Sequence, residues 1–288
     1  MACYPLKLRT SAWSAWLAAV GLVLCPAFSS AKEPAVEIVA HRGASFDAPE
    51  NTLSSIELGW KQQADGVEFD IWLSKDGEMV LLHDKDTKRV AGVDRLVKDQ
   101  TWAELQTLDV GRWKDAKYAG ERMPRLKDAL ATIPSGKRVF VEVKCGPEVV
   151  PPMAAAIKAT GRPTAEIAII CFQDDVVAAA KRALPDYKVY WLVSLKQDKE
   201  TKAWNHSVGE LIARGQELHA DGLDLQACDL IDADFGRQVR QAGLELLVWT
   251  VNDPAIARQM IAAGVQGITT DRPAWLREQL TGKSSPIP

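Results

Sequence analysis

Cysteine is scarce in this chain and badly spaced for any framework. Of the five in 288 residues, Cys3 and Cys25 fall near the start, leaving Cys145, Cys171 and Cys228. An odd number at wide spacing excludes a disulfide scaffold and a zinc pattern, and each of the three stands in or beside an apolar run, as buried small hydrophobes do. Blocks of like charge are missing too. The net charge is −3, which argues against nucleic acid as a partner. There is no His-x-His pair of the kind metal-dependent amidohydrolases use. Repeats, low-complexity tracts and long linkers are absent as well, so nothing marks a second domain.

A long apolar run occurs once, at the start. Lys7 and Arg9 supply a positive segment, Trp13 to Leu24 an apolar stretch, and Ser29 and Ala31 the small residues before a cut at Lys32. This is the pattern of a secretory signal peptide over residues 1–31. The run is short for a membrane span, which needs about 20 residues, and Pro26 closes it. Cys25 raises a lipoprotein alternative, but Leu24 is bulky for the residue before a lipidated cysteine. The expectation is an exported chain, periplasmic or secreted, with no membrane span after cleavage.

The remaining residues, 32–288, alternate short β-branched runs with amphipathic stretches. Strands are expected at Val36–Ala40, Gly66–Leu73, Met79–His83, Arg138–Lys144, Glu166–Phe172, Lys188–Ser194, Gly222–Gln226, Glu245–Val251 and Gly267–Thr270. Helices are expected at Thr52–Gln63, Val149–Ala159, Asp174–Leu184, Ala233–Ala242 and Pro254–Ala263. Such alternation implies an α/β fold with a parallel sheet covered by helices, and the length suits one TIM (β/α)8 barrel. Nine strands are one too many. Asp76-Gly77 accounts for the surplus, because it is a two-residue hairpin turn that makes the third run antiparallel to the second. Counting outward from Lys75 opposite Glu78 pairs Asp70 with His83. Residues 85–125 form a polar insertion, with Thr101 as an N-cap, of a length that usually caps or lines a site.

Functional groups of a barrel collect at the C-terminal ends of its strands. Those ends carry His41-Arg42, Glu68 with Asp70, His83-Asp84, Glu142 with Lys144, and Trp249-Thr250-Val251-Asn252. Residues two apart on a strand share a face, so Glu68 pairs with Asp70 and Glu142 with Lys144. Taken singly, each is better explained as an internal ion pair or a solvated strand end. Together, three carboxylates converging on one mouth are best explained by a hard divalent cation, Ca²⁺ or Mg²⁺. Arg42 and Lys144 leave positive charge for an anion such as phosphate. Two histidines beside it can serve as general base and general acid. His206 and His219 lack acidic strand partners and are taken as structural residues of helices.

In this order and spacing the residues resemble the glycerophosphodiester phosphodiesterases, relatives of the phosphatidylinositol-specific phospholipases C. The matching segments are His41-Arg42-Gly43, Pro49-Glu50-Asn51-Thr52, Glu68-Phe69-Asp70, His83-Asp84, Pro124-Arg125-Leu126, Glu142-Val143-Lys144, Trp249-Thr250-Val251-Asn252 and Thr270-Asp271. The resemblance implies that His41 and His83 are the acid–base pair, that Glu68, Asp70 and Glu142 hold the metal, and that Arg42 and Lys144 bind the phosphate. It places Glu50 near the site, as a supporting group or a ligand through water, and Trp249 against the glycerol or in the core. Asn51 and Thr52 also suit a helix start. Three departures stand out: Arg89-Val90-Ala91-Gly92 keeps only the ends of the motif, Arg125 replaces a threonine, and Cys171 replaces a serine. None touches the proposed metal or acid–base groups.

The implied reaction is hydrolysis of a small glycerophosphodiester to glycerol 3-phosphate and an alcohol. A lysophospholipase D or sphingomyelinase D-like activity on lipids is the rival, and a large exposed apolar rim would favour it. A barrel that only binds phosphorylated ligands is a third possibility, although none of the expected acid–base set is missing.

Overall fold

The computed structural model describes residues 1–5 and 36–282. The expected signal peptide therefore lies almost wholly outside the described residues. Among those residues, no helix is long and apolar enough to cross a membrane.

Nine strands form one sheet: β1 (Glu37–Ala40), β2 (Gly66–Leu73), β3 (Met79–Leu81), β4 (Arg138–Val143), β5 (Ile167–Cys171), β6 (Lys188–Val193), β7 (Gly222–Gln226), β8 (Glu245–Trp249) and β9 (Gly267–Thr270). All except β3 run parallel, and β1 pairs with both β9 and β2, which closes the sheet into an eight-stranded barrel. The outer helices are α1 (Leu53–Lys61), α2 (Lys88–Ala91), α3 (Trp102–Leu105), α4 (Leu126–Leu130), α5 (Val150–Ala159), α6 (Asp174–Ala183), α7 (Val208–Glu217), α8 (Ala233–Gln241), α9 (Pro254–Ala262) and α10 (Pro273–Thr281). The barrel expectation holds, with most strand ends within two residues of those expected.

The period-two alternation of each strand sorts its side chains. Outward residues such as Val67, Phe69 and Ile71 join the layer between barrel and helices, where they are fully buried. Inward residues Val39, Phe140, Ala168, Ile170, Tyr190, Leu192 and Leu247 fill the barrel, with Trp249 above them. A side chain such as Phe140, buried on all sides, stabilises the fold by about 1.5–3 kcal/mol through removal from water. A separate cluster of Val80, Leu82, Val90, Val97, Leu105, Val110 and Met123 anchors the 85–125 insertion onto β3. There, Thr101 caps α3 in a reciprocal capping box with Glu104, as expected.

The hairpin register differs from expectation by one residue. Ile71 faces Leu81 and Leu73 faces Met79, so the loop is Lys75-Asp76-Gly77 and not the dipeptide Asp76-Gly77. Gly77 takes φ +87°, which lets a three-residue loop close with Ser74 N donating to Glu78 O at 2.8 Å. Asp70 therefore stands opposite Leu82, whose N donates to Asp70 O at 3.2 Å. His83 lies beyond the end of β3. His206 and His219 are likewise not in a helix. They flank α7 on either side, His219 with φ +56°.

Candidate active site

The turn after β1 is built by close approach. Arg42 and Gly43 take φ +54° and +79°. A Cβ on Gly43 would stand 2.4 Å from the Ser55 carbonyl carbon, so only glycine fits beside the first turn of α1. Ser55 Oγ donates to Arg42 O at 2.8 Å, and Arg42 N donates to Glu68 Oε2 at 2.9 Å. The left-handed backbone at Arg42 costs energy, and these contacts hold it, turning the Arg42 side chain toward the barrel mouth.

There, one cavity of about 260 Å³ is lined by His41, Arg42, Glu68, His83, Glu142 and Lys144 on one side. Ile170, Phe172, Leu192, Asp224, Trp249, Thr250 and Thr269 complete it. Asp70 is buried just behind. Thus both histidines, both cations, Trp249 and two of the three acids expected from the sequence share one cavity wall. Glu50 sits behind Arg42: Oε1 accepts from Arg42 at 3.0 Å, and the carboxylate takes two bonds from Arg89, at 2.7 and 3.0 Å. Asn51, the residue before the α1 cap, has φ +57° and clasps Asp70, donating to Oδ2 at 2.7 Å and accepting from Asp70 N at 3.0 Å.

Ligand oxygens of Glu68, Asp70 and Glu142 lie within 4.8 Å of one another. Glu68 Oε1 and Asp70 Oδ1 are buried without a hydrogen bond. Lys144 Nζ lies 2.6 Å from Glu142 Oε1 and 3.4 Å from Asp70 Oδ1, and Arg42 Nε lies 3.3 Å from Asp70 Oδ2. Burial, then the Asp70 and Glu142 charges, hold Glu68 well above the usual carboxylate range. Burial and Asp70 push Glu142 up to about 7. Burial also works to raise Asp70, but Arg42 and Lys144 outweigh it and Asp70 ends below its ordinary value. Three buried acids with only two cations and two orphaned oxygens form a donor set that fits a hard divalent cation.

Each histidine is anchored at Nδ1. His41 Nδ1 lies 2.6 Å from Asp271 Oδ1, which also accepts from Ser45 Oγ at 3.1 Å, while Asn252 Nδ2 donates to Oδ2 at 2.5 Å. His83 Nδ1 lies 2.8 Å from Asp84 Oδ1, and Arg89 Nε donates to Asp84 Oδ2 at 2.6 Å. A carboxylate only accepts, so the proton sits on Nδ1 and Nε2 is left for the cavity. Burial draws His83 below the ordinary histidine value. Burial opposes ionisation of Asp271, but the bond and charge of His41 together with the bonds from Asn252 and Ser45 outweigh it and bring the carboxyl down to about 2.

Sequence reasoning assigned no role to Asp271, Asp84, Asn252 or Arg89, although all four stand within or beside quoted motifs. It passed over Asp224 altogether. The available signal was an acid between Leu223 and Leu225 of β7, which alternation points into the barrel. Asp224 is 2% exposed, its Oδ1 has no partner, and burial followed by Glu142 pushes it up to about 8.

Fold and site together define a TIM barrel whose mouth gathers an acidic cluster, two cations and two histidines around one cavity. Residues 41–275 match the Glycerophosphoryl diester phosphodiesterase family, and the chain belongs to that family. It is 31% identical to the glycerophosphodiester phosphodiesterase of Caldanaerobacter subterraneus subsp. tengcongensis, over 83% of this chain and 95% of that one. It is 28% identical to a glycerophosphodiester phosphodiesterase of Bacillus subtilis, over 82% and 83% of the two chains. Among solved structures, an Oleispira antarctica phosphodiesterase in complex with the product sn-glycerol-3-phosphate superposes with a TM-score of 0.74 at 27% identity, covering 85% of this chain and 96% of that one. The glycerophosphodiester phosphodiesterase of Agrobacterium tumefaciens gives 0.70 at 26% identity, over 86% and 100%.

Proposed function

We propose that the chain hydrolyses glycerophosphodiesters to glycerol 3-phosphate and an alcohol by acid–base catalysis between His41 and His83, with one divalent cation, Ca²⁺ or Mg²⁺, held by Glu68, Asp70 and Glu142. The observation that carries this reading is the pair of histidines, each fixed at Nδ1 by a carboxylate, on one cavity with that acidic cluster. Arg42 and Lys144 bind the phosphoryl oxygens, and Trp249 packs against the glyceryl carbons. Glu50 holds Arg42 in place. When bound, the cation offsets charge on the phosphoryl oxygens as it builds.

Burial keeps His83 neutral at neutral pH, so its Nε2 accepts the proton of the glyceryl hydroxyl next to the phosphoester. That hydroxyl oxygen attacks phosphorus as the P–O bond to the alcohol breaks. His41 enters this step with both ring nitrogens protonated, its Nδ1–H held by Asp271, and passes the Nε2 proton to the departing alkoxide. Water then opens the cyclic phosphate with the two roles exchanged. Asp271 and Asp84 hold the two rings in orientation throughout. The product carried by the Oleispira relative is consistent with this outcome. Export to the periplasm or beyond, after cleavage of residues 1–31, belongs to the same proposal.

A lipid phosphodiesterase is the second reading. Phe46 and Trp113 are 53% and 39% exposed, and the Phe46 amide bonds to Asp271 O at 3.1 Å, which sets an exposed aromatic beside His41's partner. Lys114 Nζ lies 6.0 Å from each ring centre. Parallel assays of glycerophosphocholine and lysophosphatidylcholine, with chelator and then with Ca²⁺ or Mg²⁺ restored, separate the two. Metal-dependent release of glycerol 3-phosphate supports the main reading. Turnover of the lysophospholipid alone overturns it.

A further inference from the structure

We propose that Asp224 is a specificity-determining residue whose carboxyl group hydrogen-bonds the terminal hydroxyl of the substrate's glyceryl group, the hydroxyl that takes no part in attack on phosphorus. This rests on the glycerophosphodiester reading given above.

Asp224 is the one acid on a cavity wall otherwise made of apolar side chains and two threonines, Thr250 and Thr269. Its neighbours around the cavity include Ile170, Phe172, Leu192 and Trp249. Trp249 has no donor left for it, because its Nε1–H is already given to the Asp224 main-chain oxygen at 3.0 Å. Trp249 is further fixed edge-to-face on Phe172, with ring centres 5.5 Å apart. The Asp224 side chain makes no hydrogen bond or ion pair among the described residues, and its Oδ1 is wholly buried. A buried carboxyl without a partner destabilises a fold, and nothing structural in the barrel offsets that cost here. A ligand group would.

Position decides which ligand group. In the strand order around the barrel, β7 stands four places from β2 in either direction, so Asp224 faces Glu68 and Asp70 across the barrel. A phosphoryl group held by Arg42 and Lys144 therefore has its reacting side toward β2 and β4 and a substituent directed toward β7. The alcohol that departs must leave through the mouth. The glyceryl group is common to every substrate of this class and is the part for which a fixed, buried recognition group is useful. Its terminal hydroxyl is both donor and acceptor, which satisfies a carboxyl group in either protonation state.

A site built to bond a hydroxyl rejects the analogue that lacks it, because its own polar group is left unpaired. The test compares sn-glycerol 3-phosphate with 2-hydroxypropyl phosphate, which keeps the reacting hydroxyl and lacks the terminal one. Binding of each to the full chain with Ca²⁺ is measured by calorimetry, alongside kcat/KM for the two corresponding phosphocholine diesters. The wild type is expected to prefer the glyceryl compound by roughly 10- to 100-fold. Asp224→Asn, which still offers a hydrogen bond, should keep most of that preference. Asp224→Leu should reduce it to below about threefold while melting no lower than the wild type. If Asp224→Leu does not fold, Asp224→Ala poses the same question. Equal binding of both ligands by the wild type, or an undiminished preference in the apolar variants, overturns the proposal. Preferential binding without any hydrolysis of glycerophosphocholine supports the Asp224 assignment and removes the reaction assigned above, so the two failures are distinguishable.

Discussion

His41 Nδ1 and Asp271 Oδ1 are 2.6 Å apart although 230 positions separate them in the chain. The contact spans the seam where β1 meets β9, so closing the barrel and orienting the first histidine are one event. Asp271→Asn should disturb the tautomer while leaving the fold intact. By analogy with serine proteases, where the equivalent change costs about 10⁴-fold in kcat, we expect a loss of roughly 10²–10⁴-fold in kcat with KM little changed. Steady-state kinetics of the variant check this.

The same carboxyl contributes to the pH dependence of stability. Its folded value, about 2, lies below the unfolded value of about 3.9. A depressed carboxyl contributes stability above the unfolded value and loses it as pH falls through the folded one. The melting temperatures of wild type and Asp271→Asn should therefore differ most above pH 4 and converge as the pH approaches 2. A scan of melting temperature against pH in both proteins reads this directly.

Two of the three acids in the cluster, Glu68 and Glu142, are shifted in the opposite sense. Glu142 is raised to about 7 and Glu68 is raised well above its ordinary value. Without metal, these groups favour the folded state most at low pH and lose that contribution as pH rises through about 7. A cation needs them ionised, so its binding should release protons, and its affinity should fall as pH drops below 7. Calorimetry in buffers of different ionisation enthalpy measures the protons released. Chelated protein should melt lower at pH 8 than at pH 6, and added Ca²⁺ or Mg²⁺ should raise the melting point more at pH 8.

Gly43 tests the construction of the turn. With a Cβ 2.4 Å from the Ser55 carbonyl carbon and φ at +79°, Gly43→Ala combines strain with a backbone clash. A loss of about 2–5 kcal/mol is expected, with activity falling as Arg42 is displaced. Urea unfolding and kinetics on the same preparation check both effects.

Much of this was legible in the sequence because barrel logic is local. Alternation placed Glu68 with Asp70 and Glu142 with Lys144 on one face, and the βα rhythm put all four at one mouth. The hairpin register was not legible, since a two-residue turn and a three-residue loop share the Asp76-Gly77 signal and a positive φ at Gly77; they differ in the sign of φ at Asp76, which is not positive here. Partners such as Asp271 for His41 and Arg89 for Asp84 depend on closure of the barrel and on the fold of the insertion, which no local pattern encodes. Asp224 was missed for another reason. A single acid in a short apolar strand has meaning only when the other walls of the cavity are known.

The most direct test follows ³¹P NMR of glycerophosphocholine with the wild type, His41→Ala and His83→Ala. We predict conversion to glycerol 3-phosphate by the wild type, abolished by chelator and restored by Ca²⁺ or Mg²⁺. Each histidine variant should be slower by roughly 10²–10⁴-fold. An unchanged spectrum with the metal-loaded wild type, release of phosphocholine in place of glycerol 3-phosphate, or near-normal turnover by His83→Ala would contradict the account.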